Sequence, residues 1–456
     1  MKKDISFPKD FIWGTAASSY QIEGAWNEDG KGLSIWDTFS HTIGKIANNE
    51  NGDVSIDHYH RFKDDIHLMS ELGLKTYRFS TSWPRIFPDE TGQINPKGVA
   101  FYDRMIDELL RNQVEPYLCL YHWDLPQWLQ DKGGWSVRET TSYFADYAGF
   151  MSDKFSDRVK NWITHNEPFV TAGAGYFIGE HAPGIKEPIS ALKAVHHLLL
   201  SHGLATQAIR AASRQPLKVG IVLNLSPVHP ASSFKKDIAA AERFDIIQNR
   251  AFLDPLLLGT SPVQELKLLS ALVGSVIKPG DLKLINVLDF LGVNYYTRTV
   301  IRHDPKFPVF SASQIHPEGN EYSGMWEIYP DGLSELLLHI WGKYGPPSNP
   351  QQKMPEIMVT ENGIPVPDGV DFDGRVRDER RIRYLENHIL QVHKAIQLGV
   401  PVMGYFVWSF LDNFEWALGY GQRFGIVYVD FKTQKRTIKD SGHWFADVIR
   451  NNGFKA

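Results

Sequence analysis

One cysteine in 456 residues leaves no partner for a disulfide within the chain. Cys119 lies in the apolar run Tyr117-Leu118-Cys119-Leu120-Tyr121 and reads as a buried small hydrophobe. Long hydrophobic runs are also missing. No stretch approaches the roughly 20 apolar residues that span a bilayer, and Met1-Lys2-Lys3-Asp4-Ile5-Ser6 carries no apolar leader. A soluble protein of the cytoplasm is the expectation. Charge of one sign is not in excess either: 48 Lys and Arg against 53 Asp and Glu leave −5, which offers little to nucleic acid or an anionic membrane. No low-complexity linker divides the chain, so one domain over 1–456 is expected. His58/His60 and His196/His197/His202 form neither a His-Glu-x-x-His nor a Cys/His set. Gly173-Ala174-Gly175 lacks the third glycine of a dinucleotide loop. No metal or organic cofactor is expected.

What the chain has in quantity is aromatic residues: 13 Trp, 18 Tyr and 26 Phe, several of the tryptophans in polar, loop-like contexts where a flat face could meet the apolar face of a sugar. It also repeats one kind of unit, a short β-rich run, a turn, then a helical pattern. The β runs are Phe11 to Ala17, Tyr77 to Ser80, Pro116 to Tyr121, Trp162 to Glu167, Val219 to Leu223, Val287 to Val293, Ile357 to Glu361 and Val402 to Trp408. Helical spacing follows over Tyr59, Phe62, Ile66, Met69 and Leu72 (closed by Gly73), and over Val99, Tyr102, Met105, Ile106 and Leu109. Further helices are expected near 137–157, 187–213, 331–344 and 376–398. Eight strands alternating with helices predict an α/β fold, a single closed parallel (β/α)8 barrel. Loops near 25–55, 225–235, 299–328 and 409–430 would wall its mouth.

Two of the runs end in a carboxylate. Val359-Thr360-Glu361-Asn362-Gly363 delivers Glu361 to a turn, and Thr164-His165-Asn166-Glu167-Pro168 delivers Glu167 to a proline that cannot continue a sheet ladder. Either motif alone reads as a solvated turn. In a parallel barrel, however, the strand ends converge on one mouth, and two carboxyls facing one cavity are what glycoside hydrolysis requires. Polar and aromatic residues cluster at the same ends: Gln21, Arg78, His122-Trp123, Asn166, Asn294, Tyr296 and Trp408. The opposite strand ends show no such pattern, which argues for a pocket at one mouth.

The whole chain resembles glycoside hydrolase family 1, the β-glucosidase family of retaining (β/α)8 enzymes. The resemblance rests on Phe11-Ile12-Trp13-Gly14-Thr15-Ala16-Ala17-Ser18-Ser19-Tyr20-Gln21-Ile22-Glu23-Gly24, on Thr164-His165-Asn166-Glu167-Pro168 and on Val359-Thr360-Glu361-Asn362-Gly363, in that order. It implies that Glu361 is the nucleophile and Glu167 the general acid, later the base. Arg78 and Tyr296 would lie against the nucleophile, and Asn294 would join the polar shell. Gln21, His122, Trp123, Asn166, Glu415 and Trp416 would hold the sugar in the −1 subsite, with Trp408 as its floor. Trp326 and Phe424 match aglycone-side or rim aromatics. The departure is His165, where the family has an apolar residue; it is expected to face away from Glu167's side and to alter packing only.

The resemblance implies a retaining, exo-acting β-glucosidase, with β-galactosidase or β-fucosidase activity as further options. Its partners would be small β-glucosides such as cellobiose or aryl and alkyl glucosides. The oligomeric state stays open, a homo-oligomer included. A 6-phospho-β-glycosidase is the alternative within the class, but Asn413-Phe414-Glu415-Trp416 keeps a carboxylate that would repel phosphate. A catalytically silent sugar-binding barrel is the alternative outside it, and the presence of both glutamates argues against that.

Overall fold

The computed structural model describes residues 4–266, 274–307, 310–346, 348 and 354–456. Eight strands close a parallel barrel: β1 Ile12–Ala16, β2 Thr76–Ser80, β3 Glu115–Tyr121, β4 Asn161–Asn166, β5 Lys218–Asn224, β6 Phe290–Asn294, β7 Glu356–Asn362 and β8 Val402–Trp408. Each pairs with its sequence neighbours, and β8 returns to β1 through Gly404↔Ile12 and Trp408↔Ala16. These are the eight expected strands, shifted by a residue or two, except that β6 starts at Phe290 and not Val287. Ahead of it the Val287 amide closes a tight turn on the Ile285 carbonyl.

Strands buried on both faces need apolar residues at consecutive positions, and Ile357, Met358 and Val359 of β7 are all buried. Alternation then divides them between two cores. Tyr117, Cys119, Ile163, Val222, Phe290, Met358 and Phe406 fill the barrel, whereas Leu118, Leu120, Trp162, Ile221, Leu291, Ile357 and Val359 belong to the core beneath the helices. Cys119 is thus the buried hydrophobe expected. Two glycines make room for the interior rings. A Cβ on Gly14 would stand 2.6 Å from the Phe406 ring, and one on Gly220 2.5 Å from the Phe290 ring.

The outer layer includes α1 His58–Glu71, α2 Pro96–Arg111, α3 Thr140–Phe155, α4 Pro188–Ala212, α5 Lys235–Asp245, α6 Ala251–Leu258, α7 Asp331–Tyr344, α8 Glu379–Gln397 and α9 Asp440–Asn451. α1 buries Tyr59, Phe62, Ile66 and Met69, and Gly73, at φ +70°, terminates it as the spacing predicted. Asn95 accepts from the Lys97 amide and Pro96 begins α2, an ordinary helix start. Among the described residues no helix is long and apolar enough to cross a membrane.

The expected long loops carry more structure than the sequence suggested. Val228–Pro230, Thr299–His303 and Ala312–Ile315 form a three-stranded sheet, and Tyr322–Ser323 pairs with Trp326–Glu327 as a short hairpin. Val427–Val429 pairs with Arg436–Ile438, and Ile35–Ser40 is a helix with a Ser34/Asp37 capping box. Segments covering a barrel mouth bury part of their backbone, and buried amides and carbonyls must pair.

Candidate active site

Glu361 and Glu167 reach the mouth because their strands lose register just before them. The pairing of β7 with β6 shifts between Val359 and Glu361, and that of β4 with β5 shifts between Ile163 and Asn166. Such bulges re-aim a side chain at a barrel rim. Glu167 lies one residue past its strand with φ +50°, and Trp123 (φ +79°) and Trp416 (φ +50°) share that left-handed conformation. Each such non-glycine residue costs about 1–3 kcal/mol, a cost that clusters where function fixes geometry. Strict alternation would put His165 and Glu167 on one face; the left-handed turn separates them. His165 points outward, against Phe144 (ring centroids 4.4 Å apart) and the Ser201 hydroxyl at 2.8 Å. It faces away from the site, as expected, but because of that turn and not because of strand alternation.

Arg78, from β2, is the hub. Its Nη1 donates to Glu361 Oε1 at 2.5 Å and its Nη2 to Asn166 Oδ1 at 2.5 Å. Tyr296 Oη donates to Glu361 Oε2 at 2.5 Å. Asn294 Nδ2 donates to Asn166 Oδ1 at 3.1 Å and to Glu167 Oε1 at 2.6 Å. The two carboxyls are thereby linked through one chain, Glu361–Arg78–Asn166–Asn294–Glu167, in which every residue is buried.

The environments of the carboxyls differ. Burial raises both above the ordinary carboxyl range; for Glu361 the Arg78 cation and hydrogen bonds from Tyr296 and Arg78 offset part of that rise. Ion-paired and twice hydrogen-bonded, it is the carboxylate of the pair. Burial, reinforced by the charge of Glu361, pushes Glu167 up to about 8 against the weaker pull of Asn294. Burial and Glu361 likewise push Glu415 up to about 8. The Arg78 cation is bonded to Glu361 and only weakly offsets the rise of Glu167.

The remaining expected residues line the same space. Gln21 Nε2 donates to Asn413 Oδ1 (3.0 Å), the Phe414 carbonyl (2.9 Å) and Glu415 Oε2 (3.3 Å). Asn166 Nδ2 meets His122 Nε2 at 2.9 Å. Asn166 Oδ1 is occupied by Arg78 and Asn294, so the amide donates and Nε2 accepts. Burial holds this imidazole neutral, far below its ordinary range, and its protonated Nδ1 has no protein partner. Trp123 Nε1 donates to the Asn166 carbonyl at 3.0 Å. Trp416 packs between Trp123 (4.5 Å) and Trp36 (4.6 Å), and His122 lies 5.7 Å from Trp408. Trp408 clusters with Ala16 and Phe424, with Tyr296 and Trp326 against them. Phe424 is deeper than a rim position: it is 2% exposed, beneath Trp326 at 5.4 Å.

Several supporting groups escaped the sequence reading. Ser18 donates to Gln21 Oε1, fixing its amide, and Thr360 donates to Asn294 Oδ1. Asn362 is held by Tyr405 and donates to the Tyr295 carbonyl, which secures the strand at Glu361. Asn224 favours the charged form of Glu167. Its position at the end of β5 was the available signal, since the other strand-end polar residues had already been found by it.

A sequence profile of glycosyl hydrolase family 1 matches residues 3–454. Beta-glucosidase A of Acetivibrio thermocellus is 49% identical over 454 residues, 99% of each chain. A bifunctional beta-D-glucosidase/beta-D-fucosidase of Bifidobacterium breve is 41% identical over 98% of each chain. The solved family 1 β-glucosidase of Thermotoga maritima superposes with a TM-score of 0.92 at 45% identity, covering 99% of this chain and all of that one (100%). Profile, relatives and superposed barrel agree over nearly the full length, and the chain belongs to glycosyl hydrolase family 1.

Proposed function

We propose that this enzyme is a retaining, exo-acting β-glucosidase that releases terminal β-D-glucosyl residues by double displacement. The observation that carries the reading is the pair of buried carboxyls joined through Arg78, Asn166 and Asn294, with Glu361 ion-paired to Arg78 and burial pushing Glu167 up to about 8. An ionised Glu361 attacks the anomeric carbon while protonated Glu167 donates to the glycosidic oxygen, and the aglycone departs. The negative charge of Glu361 is consumed in the glycosyl ester. With it goes the repulsion that kept Glu167 protonated, so Glu167 can then take a proton from water, whose oxygen displaces Glu361. Asn166, its amide orientation fixed by Arg78 and Asn294, is the donor we assign to the sugar 2-hydroxyl. Contacts there strengthen in the oxocarbenium-like transition state.

Gln21, His122, Trp123, Glu415 and Trp416 are assigned to the glycone over a Trp408 floor, and Trp326 with Phe424 to the aglycone side. Glu415, pushed up to about 8 and so a neutral acid near neutrality, is assigned to hydrogen bonds with glycone hydroxyls; charge repulsion of a phosphorylated glycone would come from it only at higher pH. The similarity to a glucosidase/fucosidase supports tolerance at the hydroxyls that Glu415 would meet. Residues 1–456 are read as one catalytic domain acting on small soluble glucosides, and a cytoplasmic setting fits a chain whose one thiol is buried.

The test is Glu361→Gly with an activated aryl glucoside. Turnover should fall by about three orders of magnitude or more and return with added azide as α-glucosyl azide. A β-configured azide, or no rescue, removes Glu361 from the nucleophile role.

A further inference from the structure

Trp326 stands on a hairpin only two residues long on each side, Tyr322–Ser323 with Trp326–Glu327, and its neighbour Met325 is 60% exposed. An isolated hairpin of that size does not hold its shape in water. What holds it is at the next residue. Glu327 is buried and takes both oxygens into a bidentate pair with Arg298, Nε to Oε2 at 3.0 Å and Nη2 to Oε1 at 2.9 Å. Asn320 adds a third bond to Glu327 Oε1 at 2.7 Å. The third guanidinium nitrogen, Nη1, donates to His229 Nδ1 at 3.2 Å, and the guanidinium carbon lies 4.2 Å from the centre of the Tyr329 ring. No donor nitrogen of Arg298 is idle. Planar, bidentate and stacked, it occupies a site that lysine cannot reproduce.

The other end of this clamp is near the chemistry. Arg298 is two residues past Tyr296, whose hydroxyl bonds Glu361, and four past Asn294, which bonds Glu167. The Phe424 ring lies 5.4 Å from Trp326 and 6.1 Å from Tyr296. On its far side the hairpin is tied to the segment after β7 by the Ser323 hydroxyl, which donates to the Pro365 carbonyl, and to α8 by Arg380, which donates to the Tyr322 carbonyl at 2.6 Å. We propose that the Arg298–Glu327 ion pair is a positioning device that fixes Trp326 relative to the reacting carboxyls and so sets aglycone recognition. This rests on the glucosidase reading above and adds residues it does not contain.

The test separates leaving groups. Arg298→Gln and Glu327→Gln should each raise KM for cellobiose about tenfold, with kcat little changed. β-Glucosyl fluoride, whose leaving group is one atom, should keep its kcat/KM within about twofold, which also reports that the variants are folded. Trp326→Ala should lower kcat/KM for cellobiose, and adding Arg298→Gln to it should cost nothing further, because both remove one element. Equal losses on cellobiose and the fluoride, or losses that multiply in the Trp326→Ala background, overturn the proposal. Absence of turnover of any β-glucoside by the unaltered enzyme would defeat the functional reading instead.

Discussion

In the proposed mechanism Glu167 is the residue whose proton is used twice, and its surroundings set a pH limit. Raised from 4.5 to about 8, it stays protonated through neutrality, and the acid form is lost as pH rises past about 8. kcat/KM for cellobiose should therefore decline on the alkaline side with a midpoint near 8. Glu415 is pushed into the same range, but it is assigned to the glycone, so its loss would affect every substrate alike. A dinitrophenyl glucoside, which needs little protonation of its leaving group, isolates the two. If its profile lacks the alkaline limb, the limb belongs to Glu167; an identical limb on both substrates assigns it to Glu415. The linkage to folding has a definite sign. A carboxyl with a folded pKa above its unfolded one binds more protons when folded. Both glutamates therefore make the fold less stable as pH rises from about 4.5 to about 8, which denaturant titrations at the two ends would show.

The strand β4 with its helix backing shows what an element contributes. His165 is buried between β4, α3 and α4, its Nε2 paired with Ser201 and its Nδ1 without a partner. Ser201 already donates to the Leu198 carbonyl and needs no second bond. An apolar ring stacked on Phe144 would fill the same space without the unsatisfied nitrogen, whose desolvation costs about 1–3 kcal/mol. His165→Phe should thus raise the unfolding free energy by about 1 kcal/mol and leave kcat/KM for cellobiose within about threefold. A large loss of turnover at unchanged stability would mean that the ring on the outer face also controls Glu167. The sequence could identify His165 as unusual for its motif. It could not show that the strand ends at Asn166 and turns left-handed, which decides which face each neighbour takes.

Across the whole molecule, the loops after β7 and β8 are sewn to the C-terminal segment by buried charge. Lys439 has no exposed side-chain surface and donates to Asp368 Oδ2 (2.7 Å) and Asp412 Oδ1 (2.8 Å). Arg381 meets the same Asp368 and donates to the Arg423 carbonyl, and Arg423 pairs with Asp412 at 2.7 Å. Phe424 follows directly, and the Gly425 amide donates to Asp412 as well. Removing one partner from such a cluster leaves its counter-charges uncompensated. Lys439→Met should lower unfolding free energy by about 3–5 kcal/mol in denaturant titration. A change below about 1 kcal/mol would show that Asp368 and Asp412 are satisfied without it.

The chain's own residue order determined the barrel, because runs of apolar β-formers alternating with 3.6-residue periodicity leave few ways to bury every face. It also determined the two carboxylates and most of their companions, since polar residues at the ends of such strands have one mouth to face. Tertiary structure decided the rest. The bulges before Glu361 and Asn166 depend on a partner strand's register, and the sheet and hairpin over the mouth pair residues whose separation no local pattern reveals. Phe424 lies beneath Trp326 because the β8 loop folds inward over Asp412, a depth fixed by ion pairs from three distant segments. Periodicity is a property of neighbours in sequence, whereas protonation, register and depth are set by residues that meet only once the chain has folded.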